Sequence, residues 1–115
     1  MPISEAYGVT ATVSTTEISF TTGTAGPASD TADGVYQGFF DLNAVANGDV
    51  FRFRIYEKTT SGATQRVVYE AVISNAQGEP IFVTPSMVFL HGWDMTWLKV
   101  SGTDRSIIGS IRKVV

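Results

Sequence analysis

The chain has 115 residues, no cysteine, 43% hydrophobic content and a formal net charge of −3, a profile that suits one compact domain over residues 1–115 with a single core. Without cysteine there is no disulfide scaffold, no thiolate zinc site and no cysteine nucleophile. The slight acidic excess argues against general nucleic-acid binding, which draws on a basic surplus to displace counterions.

The amino-terminal MPISEAYG has neither the basic nor the apolar region of a secretory signal. No apolar run approaches the roughly 20 residues that cross a bilayer as a helix. The expectation is a chain made in the cytoplasm with no membrane partner.

In chain order, AYGVTATVS and TEISFTT predict two strands, from period-two alternation and β-branched enrichment, the first irregular at Gly8. The small, polar stretch TTGTAGPASDTADG, from Thr21 to Gly34, predicts one long loop leading into a third strand, VYQGFFDL. Asn47-Gly48 then supplies a turn able to take positive φ. Next come FRFRIYE and RVVYEAVI, a hairpin with Ser61-Gly62 at its tip. IFVTPSMVFL must be broken, or lie at a sheet edge, near Pro85, because proline donates no amide to a ladder. WDMTWLKV and RSIIGSIRKVV close the chain as a pair joined by SGTD. About eight short strands with almost no helical periodicity predict an all-β fold, a single-domain antiparallel β-sandwich or jelly roll.

Two stretches hold the candidate binding residues. In the hairpin, Phe51, Phe53 and Ile55 share one face while Arg52, Arg54 and Tyr56 share the other. The arginines either lie over the sheet and pair with Glu57, Glu70 or Asp41, or Arg52, Arg54 and Arg66 form a guanidinium row that docks onto a partner's carboxylates. Further on, Trp93, Met95 and Trp97 share a strand face. Such residues serve as core, as interface anchors or as a sugar-stacking platform. His91, the one histidine, has no clustered acid and nucleophile and reads as structural.

Chemistry-bearing motifs are missing from the sequence. There is no nucleophile elbow, P-loop or zinc-protease helix, and DTADG lacks the later glutamate of a calcium loop. No catalytic residue, cofactor or metal ligand is assigned, and the expectation is a protein that acts by binding rather than catalysis.

The segments ISEAYGVTATVSTTEISF, DGVYQGFFDLNAVANGDVFRFRIYEK, TQRVVYEA and GWDMTWLKVSGTDRSIIGSIRKV together span nearly the whole chain. In them the chain resembles small virion structural proteins of tailed bacteriophages. The resemblance implies a capsid decoration (cement) protein, a homo-oligomer, trimer or dimer, that binds the major capsid protein or other virion proteins. It carries no residue-level role. In that setting Arg52, Arg54 and Arg66 would meet acidic capsid surface, Trp93 or Trp97 would anchor the contact, and the amino-terminal residues would order on docking. A tail or neck component, with the Thr21 to Gly34 loop as an intersubunit arm, and a carbohydrate-binding sandwich module are the alternatives.

Overall fold

The computed structural model describes residues 2–114. Among them the apolar alternation produces nine strands and no helix: β1 (Ile3–Val13), β2 (Ile18–Ser19), β3 (Gly34–Asp41), β4 (Val50–Glu57), β5 (Arg66–Ser74), β6 (Ile81–Val83), β7 (Met87–Phe89), β8 (Asp94–Ser101) and β9 (Arg105–Val114). They form two antiparallel sheets. The first runs β1-β9-β3-β6, with β7 also paired to β3, and the second runs β2-β8-β4-β5. The molecule is 20 Å across its thinnest dimension, as expected of two sheets packed about 10 Å apart with side chains on both outer faces.

The core is the set of inward residues that alternation selects. Phe40, Ile107 and Ile111 from the first sheet meet Phe51, Phe53, Ile55, Trp93, Met95 and Trp97 from the second, all fully buried. Aromatic rings hold the sheets together: Phe40 lies 5.1 Å from Phe53 and 5.6 Å from Trp97, and Phe89 stacks on Trp93 at 4.5 Å and 8°. Each such pair adds about 0.5–1.5 kcal/mol beyond its buried area. Gly109, facing inward on β9, makes room for them, since a Cβ there would sit 2.6 Å from the Phe20 ring and 2.9 Å from Phe40.

The sandwich expected from the sequence is the observed architecture, with two local corrections. The expectation for IFVTPSMVFL holds in both its forms, since the segment is broken and on an edge: β6 and β7 occupy one edge of β3 in succession, on either side of Pro85. Thr84 bridges the gap, its hydroxyl accepting from the Gly38 N–H at 2.9 Å and its own N–H donating to the Gly38 carbonyl at 3.0 Å. β8 and β9 are not a pair. The turn between them carries the chain from the second sheet to the first, where β9 inserts between β1 and β3. Finally, β1 is paired with β9 from Ile3 onward, its irregularity lying between Glu5 and Tyr7 rather than at Gly8. The amino-terminal residues are therefore ordered by the fold itself, without a docking partner.

Candidate functional site

The arginine hairpin occupies the outer face of the second sheet, where Arg54 stands opposite Glu70 on β5 and Thr96 on β8. Its Nε donates to Glu70 at 3.0 Å, its Nη1 reaches the Tyr56 hydroxyl at 3.5 Å, and Glu17 lies 3.7 Å away. Tyr56 in turn donates to Glu17 at 2.6 Å, and Thr96 donates to the same carboxylate. Burial and the Glu17 carboxylate both push the Tyr56 hydroxyl above its ordinary pKa, while hydrogen bonds to Tyr56 and Glu70 hold Arg54 firmly charged. Arg52 shares Glu70 at 3.9 Å. Arg66 stands exposed at the start of β5 and makes no ion pair among the described residues. Of the two alternatives, pairing within the sheet is the one formed for Arg52 and Arg54, both on Glu70, and the row of three guanidinium groups is not: of the three, Arg66 alone has no ion-pair partner among the described residues.

Trp93 and Trp97 are wholly buried, which overturns their assignment as interface anchors and removes the sugar platform as well. Inward alternation on β8 sets them against Tyr36, Phe89, Phe40 and Phe53. Trp93 Nε1 donates to the Ala32 carbonyl at 3.0 Å, whereas Trp97 Nε1 has no partner. His91 sits between β7 and β8 and contributes its backbone N–H, 3.4 Å from Glu57.

Three carboxylates hold the loops in place: Asp49 and Asp94, to which the sequence assigned no role, and Glu57, which binds backbone N–H groups in place of the arginine expected beside it. Asp49 accepts from the N–H groups of Ala46 and Thr103 at 2.9 and 3.0 Å and from Arg105 Nε at 2.7 Å, tying the approach to β4 to the β8–β9 turn. Those donors, the Thr103 N–H foremost, lower its pKa to about 2. Glu57 accepts from the N–H groups of Leu90, Gly92 and Lys58 at 2.7 to 2.8 Å. Burial works to raise its pKa, yet these donors prevail and hold it below the ordinary value. Asp94, fully buried, accepts from the Ala28 N–H at 2.7 Å and from the Ser19 and Thr21 hydroxyls at 3.0 Å. Here burial prevails and raises its pKa despite the donors.

Asp94 accounts for the course of the long loop. The loop folds back over the second sheet, fixed by Asp94 and by a two-way backbone bridge between Asp30 and Trp93 at 2.9 Å. Tyr7 on β1 donates to the Asp30 carboxylate and closes the loop against the first sheet. Clamped at three points, it is not the extended intersubunit arm expected of a tail component.

The fold leaves single valines, Val68 and Val72, exposed on the second sheet, and it leaves open a broader apolar surface on the outer face of the first. Cross-strand register lines up Ile3, Val114, Val35 and Val88 in one row across β1, β9, β3 and β7. A second row brings Ile108 and Ile81 to either side of Asp41. All six apolar residues are exposed, Val88 by 78% and Ile108 by 53%. Between the rows the Arg112 guanidinium lies 3.8 Å from the centre of the Phe39 ring, and beside them Val35, Phe39, Arg112 and Val114 line a groove of about 190 Å³. The signal was in the sequence: β3 and β9 carry apolar residues at both parities, Val35 and Phe39 against Tyr36 and Phe40, Ile108 against Ile107 and Ile111.

Neither a protein-family model nor a curated protein matches this chain.

Proposed function

We propose that this chain is a non-catalytic virion structural protein, a capsid decoration protein that binds the major capsid protein through the outer face of its first sheet. The observation that carries the reading is the pair of exposed apolar rows on that face, centred on Val88, Val35 and Ile108. An apolar face interrupted by a few polar groups is the usual mark of a protein contact. The virion setting rests on the sequence resemblance. A shell presents the same surface many times, so a cement oligomer gains avidity from modest contacts. The arginine hairpin, largely neutralised in-chain, contributes little to this contact.

Co-sedimentation with empty phage capsids tests it. The wild-type protein should pellet with the shells and stay bound at high salt, because an apolar contact is not screened. Val88→Glu and Ile108→Glu, both at exposed sites, should fold normally and stay in the supernatant, while Arg66→Ala should pellet like wild type. A wild-type protein indifferent to shells but retained by tail tubes or neck rings would replace decoration with the tail assignment. Retention of both Glu variants would move the contact off this face.

A further inference from the structure

Strand β1 is the edge of the first sheet, and only one of its two hydrogen-bonding sides is used. β9 takes that side from Ile3 to Val13, and among the described residues no backbone group of β1 bonds to anything else. Natural edges are commonly blunted by charge, proline or a bulge. The other long edge has such protection: β5 carries Arg66 and Glu70, and its ladder with β4 shifts register beside Val67. In β1 the bulge and the single charge, Glu5, lie at the start of the strand. From Tyr7 to Val13 the ladder is regular and the sequence YGVTATV holds neither charge nor proline.

A second observation comes from the core side of the same strand. Tyr7, Val9 and Ala11 point toward the sandwich interior yet remain partly exposed, and of the inward residues of this stretch Val13 alone is fully buried. On β9, by contrast, the inward Ile107, Gly109 and Ile111 are fully covered. The cause is the opposing sheet, whose corresponding edge strand β2 is two residues long.

We infer that a second copy of this chain pairs antiparallel with β1, about a two-fold axis at Thr10. The sequence of the edge selects that partner and register. Thr10 is the midpoint of the regular Tyr7–Val13 stretch, so a two-fold there pairs the whole stretch with itself: Tyr7 with Val13, Gly8 with Thr12, Val9 with Ala11, and Thr10 with Thr10. Each inward residue meets an inward residue and each outward residue an outward one, no like charges oppose, and Thr–Thr is a favourable cross-strand pair. The contact is isologous and closes on itself as a dimer. It joins the two first sheets into one continuous sheet and covers Val9 and Ala11. It is also distinct from the apolar rows assigned to shell binding, so either assignment can fail without the other.

Disulfide trapping reads the register directly, because the chain has no native cysteine. In the dimer, Thr10→Cys places two thiols directly opposite, within the Cα separation of about 4.4–6.8 Å that a disulfide spans. Thr12→Cys puts its two thiols four residues apart along the strands, about 13 Å, which is beyond reach. Mild oxidation of the folded protein should therefore give a covalent dimer of Thr10→Cys and none of Thr12→Cys. Light scattering should show wild type as a dimer, with Thr10→Lys weakening association about fivefold or more through like charges opposed across the axis. Circular dichroism confirms that the three variants, at two exposed positions, are folded. A wild-type monomer throughout the micromolar range overturns the inference, as does an oligomer in which Thr10→Cys does not cross-link. Shell co-sedimentation of the wild type is scored separately.

Discussion

Trp93 and Trp97 are equally buried and differ in one hydrogen bond. Replacing Trp93 by Phe removes its bond to Ala32, worth about 1 kcal/mol, and part of its stack on Phe89. Replacing Trp97 by Phe removes a donor that was buried without a partner, a relief of about 1–3 kcal/mol that offsets the cavity left behind. Trp93→Phe should therefore lower the urea midpoint more than Trp97→Phe, with a gap of about 1–2 kcal/mol in unfolding free energy. The reverse order would show that the Trp97 indole has a partner after all. Asp49 makes a second residue-scale case, through pH. Its folded pKa of about 2 lies below the ordinary carboxyl value, so the stability it contributes is present above about pH 4 and is lost as pH falls toward 2. Asp49→Asn lacks that contribution from the start and should show a flatter stability profile between those values. Wild type and variant losing stability in parallel there would assign the acid transition to other groups.

At the scale of elements, sequence periodicity told which face of a strand is buried but not which sheet a strand joins. That is why β8 and β9 read as a pair although a short turn sends them to different sheets. The alternation of the hairpin, the Gly48 turn with its φ of 95° and the break at Pro85 were all legible, because each follows from local backbone chemistry. The loop clamp was not. Asp94 falls at an outward position of β8, where a carboxylate reads as solvated, and only the returning loop, 66 residues earlier at Ala28, encloses it. The burial of Trp93 and Trp97 fits their alternation, whereas the pairing of Arg54 with Glu17 depends on strand order that sequence does not encode. The clamp has its own consequence. Asp94→Asn keeps an acceptor for Ser19, Thr21 and Met95 but turns an amide donor toward the Ala28 N–H, so the loop over residues 21–33 should come loose while the sheets persist. Limited proteolysis should then cut the variant within that loop much faster than wild type, with little change in circular dichroism. Equal cleavage rates would mean that the Asp30–Trp93 bridge suffices alone.

For the whole molecule, the two sheets present unlike surfaces. The second carries a folded-back loop and an internally paired set of charges, with Val68 and Val72 exposed on its edge strand β5, while the first offers two cross-strand rows of bare valine and isoleucine and an unused strand edge. On the arginine face it is Arg52 and Arg54 that are satisfied within the chain, through Glu70. The apolar residues of the open face are spread over five strands, one or two on each, and become rows only through register.

The place of β9 sets a timetable for the newborn chain. It leaves the ribosome after the eight strands β1 to β8, yet it lies between β1 and β3 and pairs with both along most of its length. Until it emerges, those two strands have no shared neighbour, and β1 must wait, unpaired, for β9. Contacts so distant along the chain make assembly slow. During that wait the YGVTATV segment is exposed on both of its edges, and a cell making many copies at once holds many such strands within reach of one another. Crowded synthesis therefore sets correct closure by β9 in competition with premature strand exchange between nascent chains.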